Sequence, residues 1–345
     1  MHKSLPLLLL CFGLVFHNAI AQTTSCAQTI RLATSTYEQG RLHELPELLK
    51  NCLNSGFTQQ EKVTAYKLLT LSYIYLEEPE KADESMLRLL QTDHYFEINP
   101  AVDPAEFVAL YKTFRTTPVY RLGLKAGPNA TLPNVISSNA SSDGVGEYSY
   151  KPSFQVGVTM ELPISSKLVL NPELQFQSKS FSFSQKGKEQ TPDTIFNISS
   201  TELQKWISLP VTLQYLIGKS KVNPYIALGA SVDYLLSATQ TPSKLREGYQ
   251  DVKEESIDII DQRKKININL IASAGIKYKI SGGFLVAEVR LLYGLSPLND
   301  KSMIYKNPVI FNNYNFVDGI FSQSTASLSV GYVYNIFNPK KKNKK

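Results

Sequence analysis

Acid–base, nucleophilic and metal chemistry draws on a short set of side chains, and this 345-residue chain distributes them unevenly. Its histidines are His2, His17, His43 and His94, and none follows. The C-terminal part therefore lacks the parts of a His-assisted Ser or Cys nucleophile and of a His-containing metal cage. Glu161 and Glu173 could in principle do paired-carboxylate work. Arg121, Lys125, Lys179, Lys277, Glu288 and Arg290 fall on the same alternating face, however, and mixed charge on one face reads as structural ion pairing. No Gly-rich phosphate loop or nucleotide motif is present. No catalytic residue, cofactor or metal is expected, and the chain is not read as an enzyme.

Of the three cysteines, Cys11 lies in an N-terminal apolar run, which leaves Cys26 and Cys52. They fall at the start of one predicted helix and the end of the next, so in an exported chain they are expected to form a disulfide. The chain-entropy model values such a link at ~3 kcal/mol. The alternative is a lipidated Cys26, but Thr23-Thr24-Ser25 lack the aliphatic residue that signal normally carries.

The elements that must carry these residues begin with a targeting segment. His2 and Lys3 precede an apolar run from Leu5 to Phe16, and Ala19-Ile20-Ala21 has the small-x-small pattern of a signal-peptidase site. Residues 1–21 read as a signal peptide and Gln22 as the mature start. The run is short for a membrane helix, which needs ~20 residues, and no later stretch approaches that length. A bilayer crossing would have to use strands.

Charge excludes another class. The chain has 36 Lys plus Arg against 30 Asp plus Glu, but removing Lys3 and the terminal Lys340, Lys341, Lys342, Lys344 and Lys345 leaves 30 against 30. A nucleic-acid surface needs basic residues spread over a folded face, so no nucleic-acid partner is expected. Residues 338–345 read as a basic tail that is either solvated or in contact with anionic head groups or an acidic partner. With 43% hydrophobic and 19% charged residues, disorder is excluded for most of the chain.

Residues 22–115 read as helices. Thr58 and Glu61 form a capping box ahead of Val63, Tyr66, Leu69, Tyr73 and Leu76 at helical spacing. Pro79 suits the first turn of a helix carrying Ala82, Met86, Leu89 and Leu90 on one face. A last helix is expected after Asp103-Pro104, with Asp103 as its cap. Tyr66, Leu69, Thr70, Tyr73, Ala82, Met86 and Leu89 together resemble one tetratricopeptide unit. That resemblance implies either a compact helical cap or a small protein-docking module.

From Pro118 the period becomes two. Eight segments alternate apolar with polar or small residues; Phe154, Val156, Val158, Met160 and Leu162 against Ser153, Gln155, Gly157, Thr159 and Glu161 is one of them. Short turns near Ser165-Ser166, Gly218 to Lys221 and Ser281 to Gly283 alternate with long polar connections at about 132–149, 184–200, 240–263 and 297–323. That asymmetry suits an outer-membrane barrel with tight periplasmic turns and large outer loops. An even strand number puts both termini on the periplasmic side. Gly123, Gly157, Gly229, Gly275, Gly294 and Gly331 share the polar face, where they would leave room for long lumen side chains. The expected lumen network is Arg121, Lys125, Glu161, Glu173, Lys179, Lys277, Glu288 and Arg290, filling the barrel rather than lining a channel.

The segments 170-LNPELQFQSK-179, 206-WISLPVTLQYLIG-218, 224-PYIALGA-230, 284-FLVAEVRLLYGL-295 and 327-SLSVGYVYNI-336 resemble the PorT-like and OmpA-like families of eight-stranded outer-membrane proteins. The resemblance covers roughly residues 118–337 and implies an eight-stranded antiparallel transmembrane β-barrel after the helical domain, an α + β chain. It departs at the end, where NPKKKNKK follows Phe337. Relatives of this kind act in secretion, anchoring, adhesion and surface binding, so the fold leaves the role open. Two expectations follow. The barrel anchors a periplasmic helical domain that docks an envelope or secretion partner; or its outer loops bind surface ligands, or its lumen passes small solutes.

Overall fold

In the computed structural model the chain is described at residues 20–137, 146–190, 193–218, 220–246, 248, 252–253, 256–314 and 316–342. The targeting segment lies, up to residue 19, outside the described residues. Two compact units emerge: residues 1–118 with 337–345, and Val119–Ile336.

The first unit is helical: α1 (Ile20–Glu38), a 3-10 turn (Leu42–Glu44), α2 (Leu45–Asn54), α3 (Gln59–Tyr75), α4 (Pro79–Thr92) and α5 (Ala105–Thr113). Both halves of the Thr58/Glu61 capping box form at the start of α3, and Pro79 opens α4, where its missing N–H costs nothing. Helix α3 is buried on several sides because it serves two cores. Ala65, Leu68 and Leu69 pack with Ala33, Leu45 and Leu49, while Leu71 packs with Met86, Leu89, Leu90 and Phe107. Full burial of one such side chain contributes ~1.5–3 kcal/mol. Thr70 and Ser72, buried inside this helix, donate back to the carbonyls of Tyr66 and Leu68 at 2.7 and 2.8 Å. The expected disulfide is present, joining Cys26 in α1 to Cys52 in α2.

Two details of this unit differ from expectation. Asp103 does not cap α5; the cap position is Pro104, which offers no side-chain acceptor. Its carboxylate instead accepts from Lys67 Nζ at 2.5 Å and from the Asn99 N–H at 2.7 Å, since an ammonium donor adds a second full charge that a helix N–H lacks. The basic tail, described to Lys342, is ordered against the helices. Arg115 N–H donates to the Lys340 carbonyl and Lys342 N–H to that of Thr113, so the backbone continues in an antiparallel pairing.

The second unit is a closed ring of eight long antiparallel strands: β1 (Tyr120–Ser137), β2 (Glu147–Pro163), β3 (Leu168–Gln190), β4 (Asp193–Leu216), β5 (Val222–Arg246), β8 (Ile266–Ile280), β9 (Gly283–Gly294) and β10 (Ile320–Ile336). The short β6 (Val252–Lys253) and β7 (Ile257–Asp258) pair with β5, and α6 (Pro308–Tyr314) lies in the last long connection. β1 against β10 closes the ring, with Tyr120 opposite Ile336. Closure leaves no unpaired edge.

The expected long loop at 184–200 is largely strand, and that at 240–263 opens as one. β3 and β4 stay paired out to Gln190 and Asp193, and β5 continues to Arg246. A tilted membrane strand needs only ~9–11 residues. At 23, 24 and 25 residues these strands run well past that length, and the ladder persists because it satisfies backbone groups at no extra cost. Pro210 does not end its strand; it sits opposite Ser231 with pairing on either side.

Candidate functional site

The inward face of the ring is the densest assembly of polar side chains in the molecule. Residues at alternate positions of each strand point inward, and pairing brings charges from distant sequence positions together. Near the short turns, Glu161 of β2 receives Arg121 of β1 at 3.0 Å and Lys277 of β8 at 2.6 Å. Arg121 also donates to Asn335 and lies 4.9 Å over the Phe284 ring, while Lys277 donates to Gln214.

One layer higher, Glu173 of β3 is the hub. Its Oε1 accepts from Lys125, Asn171 and Arg290 at 2.6, 2.6 and 2.7 Å, and its Oε2 accepts from Arg290 at 3.1 Å and from Gln175. Arg290 turns its remaining N–H groups to Glu288, which also accepts from the Tyr225 hydroxyl at 2.6 Å. Gly275 makes this possible, since a Cβ there would lie 2.7 Å from the Tyr225 ring. Above it, Lys179 pairs with Asp233 at 3.1 Å, and Asp233 also accepts from Ser208, Ser231 and Asn269.

All eight residues of the expected network thus point into the lumen. Seven share the two lower layers; Lys179 stands apart with Asp233. Glu161 and Glu173 have side chains only 1% exposed. Carboxylates saturated by cations and amides in this way anchor the wall. A buried charge loses several kcal/mol of hydration, and only full pairing returns it.

Sequence reasoning missed the roof. Arg263, from the connection before β8, enters the upper lumen and bonds Glu202 of β4 through two nitrogens at 2.8 and 2.6 Å and Asp318 at 2.7 Å. Its guanidinium lies 5.2 Å over the Phe321 ring. Phe181, Trp206, Leu235, Ile259, Leu298 and Phe321 join in an apolar cluster at the same end. Phe181 continues the face of Glu173 and Lys179, a signal that was readable. Leu235 likewise continues the face of Ser231 and Asp233, but the register shift at Lys205/Trp206 then moves the inward face of β5 from Leu235 to Ala238, and no sequence period announces it.

Outside, the ring is apolar. Leu124, Val158, Leu209, Leu228, Leu270 and Val330 are all exposed, a pattern costly in water and natural in a lipid core. Tyr215, Tyr278 and Tyr334 mark its lower border and Tyr150, Tyr234 and Tyr293 its upper one, the girdle positions of a membrane barrel. Among the described residues no helix is long and apolar enough to cross a membrane, and no group of three or more His, Cys, Asp or Glu is placed to hold a metal ion.

Residues 119–300 match the family model described as outer membrane protein beta-barrel domain. The chain is similar to Neisserial surface protein A, with 16% identity over 63% of this chain and 97% of that one, at a TM-score of 0.31. It is similar also to OprG from Pseudomonas aeruginosa, with 13% identity, 64% and 98% coverage and a TM-score of 0.32. Outer Membrane Protein W of E. coli aligns at 13% identity over 63% of this chain and 98% of that one, with a TM-score of 0.28. No curated protein matches the chain.

Proposed function

The chain belongs to the family of outer membrane protein beta-barrel domains, which puts its barrel in the bacterial outer membrane, and from that premise we propose that the barrel is a filled anchor holding the helical unit in the periplasm to dock an envelope or secretion protein. The observation that carries this reading is the lumen itself. Stacked ion pairs around Glu161, Glu173 and Asp233, roofed by Arg263 and its apolar neighbours, occupy the space a solute would need. A barrel of eight strands has just enough interior for side chains.

The periplasmic orientation is supported by connectivity. β1 begins and β10 ends at the short-turn end, where Arg121 lies opposite both Glu161 and Asn335. In membrane barrels short turns face the periplasm. The helical unit has its own cores and disulfide, as an exported module should, and α3 with α4 supports the tetratricopeptide-like reading of one helix pair.

Crosslinking in intact envelopes tests the docking role. A periplasmic protein should be captured by the full chain and lost when residues 22–115 are deleted from a barrel that still shows heat-modifiable migration. Recovery of no such protein at native expression sinks it. Orientation is read separately: Ser166→Cys should react with an impermeant label only after the outer membrane is opened, and Ser302→Cys in intact cells. The second reading, ligand binding at the outer end, is favoured by the length of β3, β4 and β5; sensitivity to changes there with residues 22–115 dispensable would select it.

A further inference from the structure

The tail lysines were the obvious candidates for lipid contact, yet Lys341 and Lys342 are engaged by the helical unit. Exposed positive charge remains on the barrel's short-turn end. Lys167, Lys221 and Lys279 are exposed there, no carboxylate pairs with them among the described residues, and segments 163–168, 216–223 and 279–284 contain no Asp or Glu. Lys279 N–H donates to the Lys221 carbonyl at 2.8 Å, so two of these lysines sit side by side across β5 and β8.

Directly beside them the outer wall has a groove of about 540 Å³. Ala287 is its floor, because a small residue there faces Ile276 on one neighbouring strand and Val330 on the other. Tyr278, Leu285 and Tyr332 form its end toward the turns, and Lys221 Nζ lies 5.2 Å over the Tyr278 ring. A second groove of about 500 Å³, near Tyr150 and Tyr293, has a similar apolar lining, and the lysine next to Tyr150, Lys151, donates to Thr201.

We propose that the wall over Ala287 binds one anionic phospholipid, its acyl chain in the groove between Ile276 and Val330 and its phosphate on Lys221 and Lys279. The chemistry is that of a fixed acyl slot with the Lys221 ammonium over the tyrosine ring at its end and Lys279 next to Lys221 on the neighbouring strand. Apolar burial supplies affinity for any lipid, and the lysines select negative head groups. The assignment to the phospholipid leaflet rests on the periplasmic orientation proposed above; the binding test below does not, since it uses purified protein.

Native mass spectrometry of the full chain, released from detergent in the presence of equimolar phosphatidylglycerol and phosphatidylethanolamine, reads the selection. The wild type should retain phosphatidylglycerol in preference. Each lysine removed should lower that retention about fivefold, so Lys221→Gln/Lys279→Gln should abolish the preference while leaving phosphatidylethanolamine unchanged. Ala287→Leu, which fills the slot with the charges intact, should reduce retention of both. Heat-modifiable migration verifies each barrel, and Lys279→Gln alone, on an exposed side chain, replaces the double variant if that fails to fold. Equal retention of the two lipids by the wild type, retention unaltered by the lysine variants, or a lipid-insensitive dimer covering the groove would each overturn the proposal. Ser166→Cys labelling in intact cells would reverse the leaflet without affecting the binding result.

Discussion

Lys341, beyond the last strand, is ion-paired with Asp83 of α4, across 258 positions of sequence. Around this pair Phe337 stacks on His94 at 5.2 Å and meets Tyr95 edge-on at 5.0 Å, while Arg115 donates to the Asn338 carbonyl. Charge explains the direction of docking, since Glu77, Glu78, Glu80, Asp83 and Glu84 crowd the start of α4. A chain shortened after Phe337 should therefore lose protease resistance in its helical unit while its barrel keeps the heat-dependent gel shift. Lys341→Glu alone should have a small effect, because an exposed pair contributes only ~0–1 kcal/mol and the backbone pairing survives. An unchanged cleavage rate in the shortened chain would return residues 338–345 to the status of a solvated end.

Lys125 and Arg290 share two carboxylates, Glu173 at 2.6 and 2.7 Å and Glu288 at 3.7 and 2.7 Å, and the loss of Glu173 should be felt far more than that of a surface acid. Glu173→Gln leaves two buried cations with Glu288 as their remaining carboxylate, a defect that costs about 3–5 kcal/mol. The measurement is the denaturant midpoint of the barrel in detergent or vesicles, followed by gel shift. Adding Arg290→Met should recover much of the loss, since it restores neutrality with an apolar side chain of similar length. A double-mutant cycle with no coupling between positions 173 and 290 would contradict the hub assignment.

The Cys26–Cys52 bond should matter to the helical unit alone. Replacing both cysteines with serine removes ~3 kcal/mol in the chain-entropy model, and reductant should do the same to the wild type. Helical signal should melt earlier, with the barrel's migration untouched. Gly56 belongs to the same corner: its φ is +125°, and a Cβ there would lie 2.6 Å from Cys26 Sγ, so Gly56→Ala should destabilise this unit even with the disulfide intact. A variant as stable as wild type would show that the corner relaxes freely.

Much of the barrel can be read along the chain because a two-residue period is a local property: Arg121 and Lys125, or Glu161 and Thr159, declare their face without reference to a partner. Pairings are another matter. Lys179 meets Asp233 from a strand two positions away in the ring, and Glu161 chooses Lys277 from the far side of the sequence, so those contacts exist only after closure. Arg263 and Asp318 sit in aperiodic connections, where nothing local marks a side chain as inward. Strand ends were misjudged for a related reason. Beyond the lipid band the outward face turns polar, as at Thr201, Ser199 and Lys205, and the alternation that signals a strand fades while the hydrogen-bond ladder does not.

Asp103 provides a pH test of the helical unit. Burial by itself would raise its carboxyl, but the hydrogen bond from Lys67, the Asn99 N–H and the Lys67 charge outweigh it and hold the group below the ordinary aspartate value. A carboxyl depressed in the folded state adds stability that is fully present above its unfolded pKa, about 3.9, and is lost as pH falls through the lower folded value. Helical melting of the full chain should therefore weaken with acid from about pH 4 downward. Asp103→Asn, which cannot ionise, should be the less stable protein at neutral pH and should lack this contribution to the slope, so that the two curves converge in strong acid. Parallel curves would mean that the Lys67 contact, although 2.5 Å long in the fold, contributes no net stability.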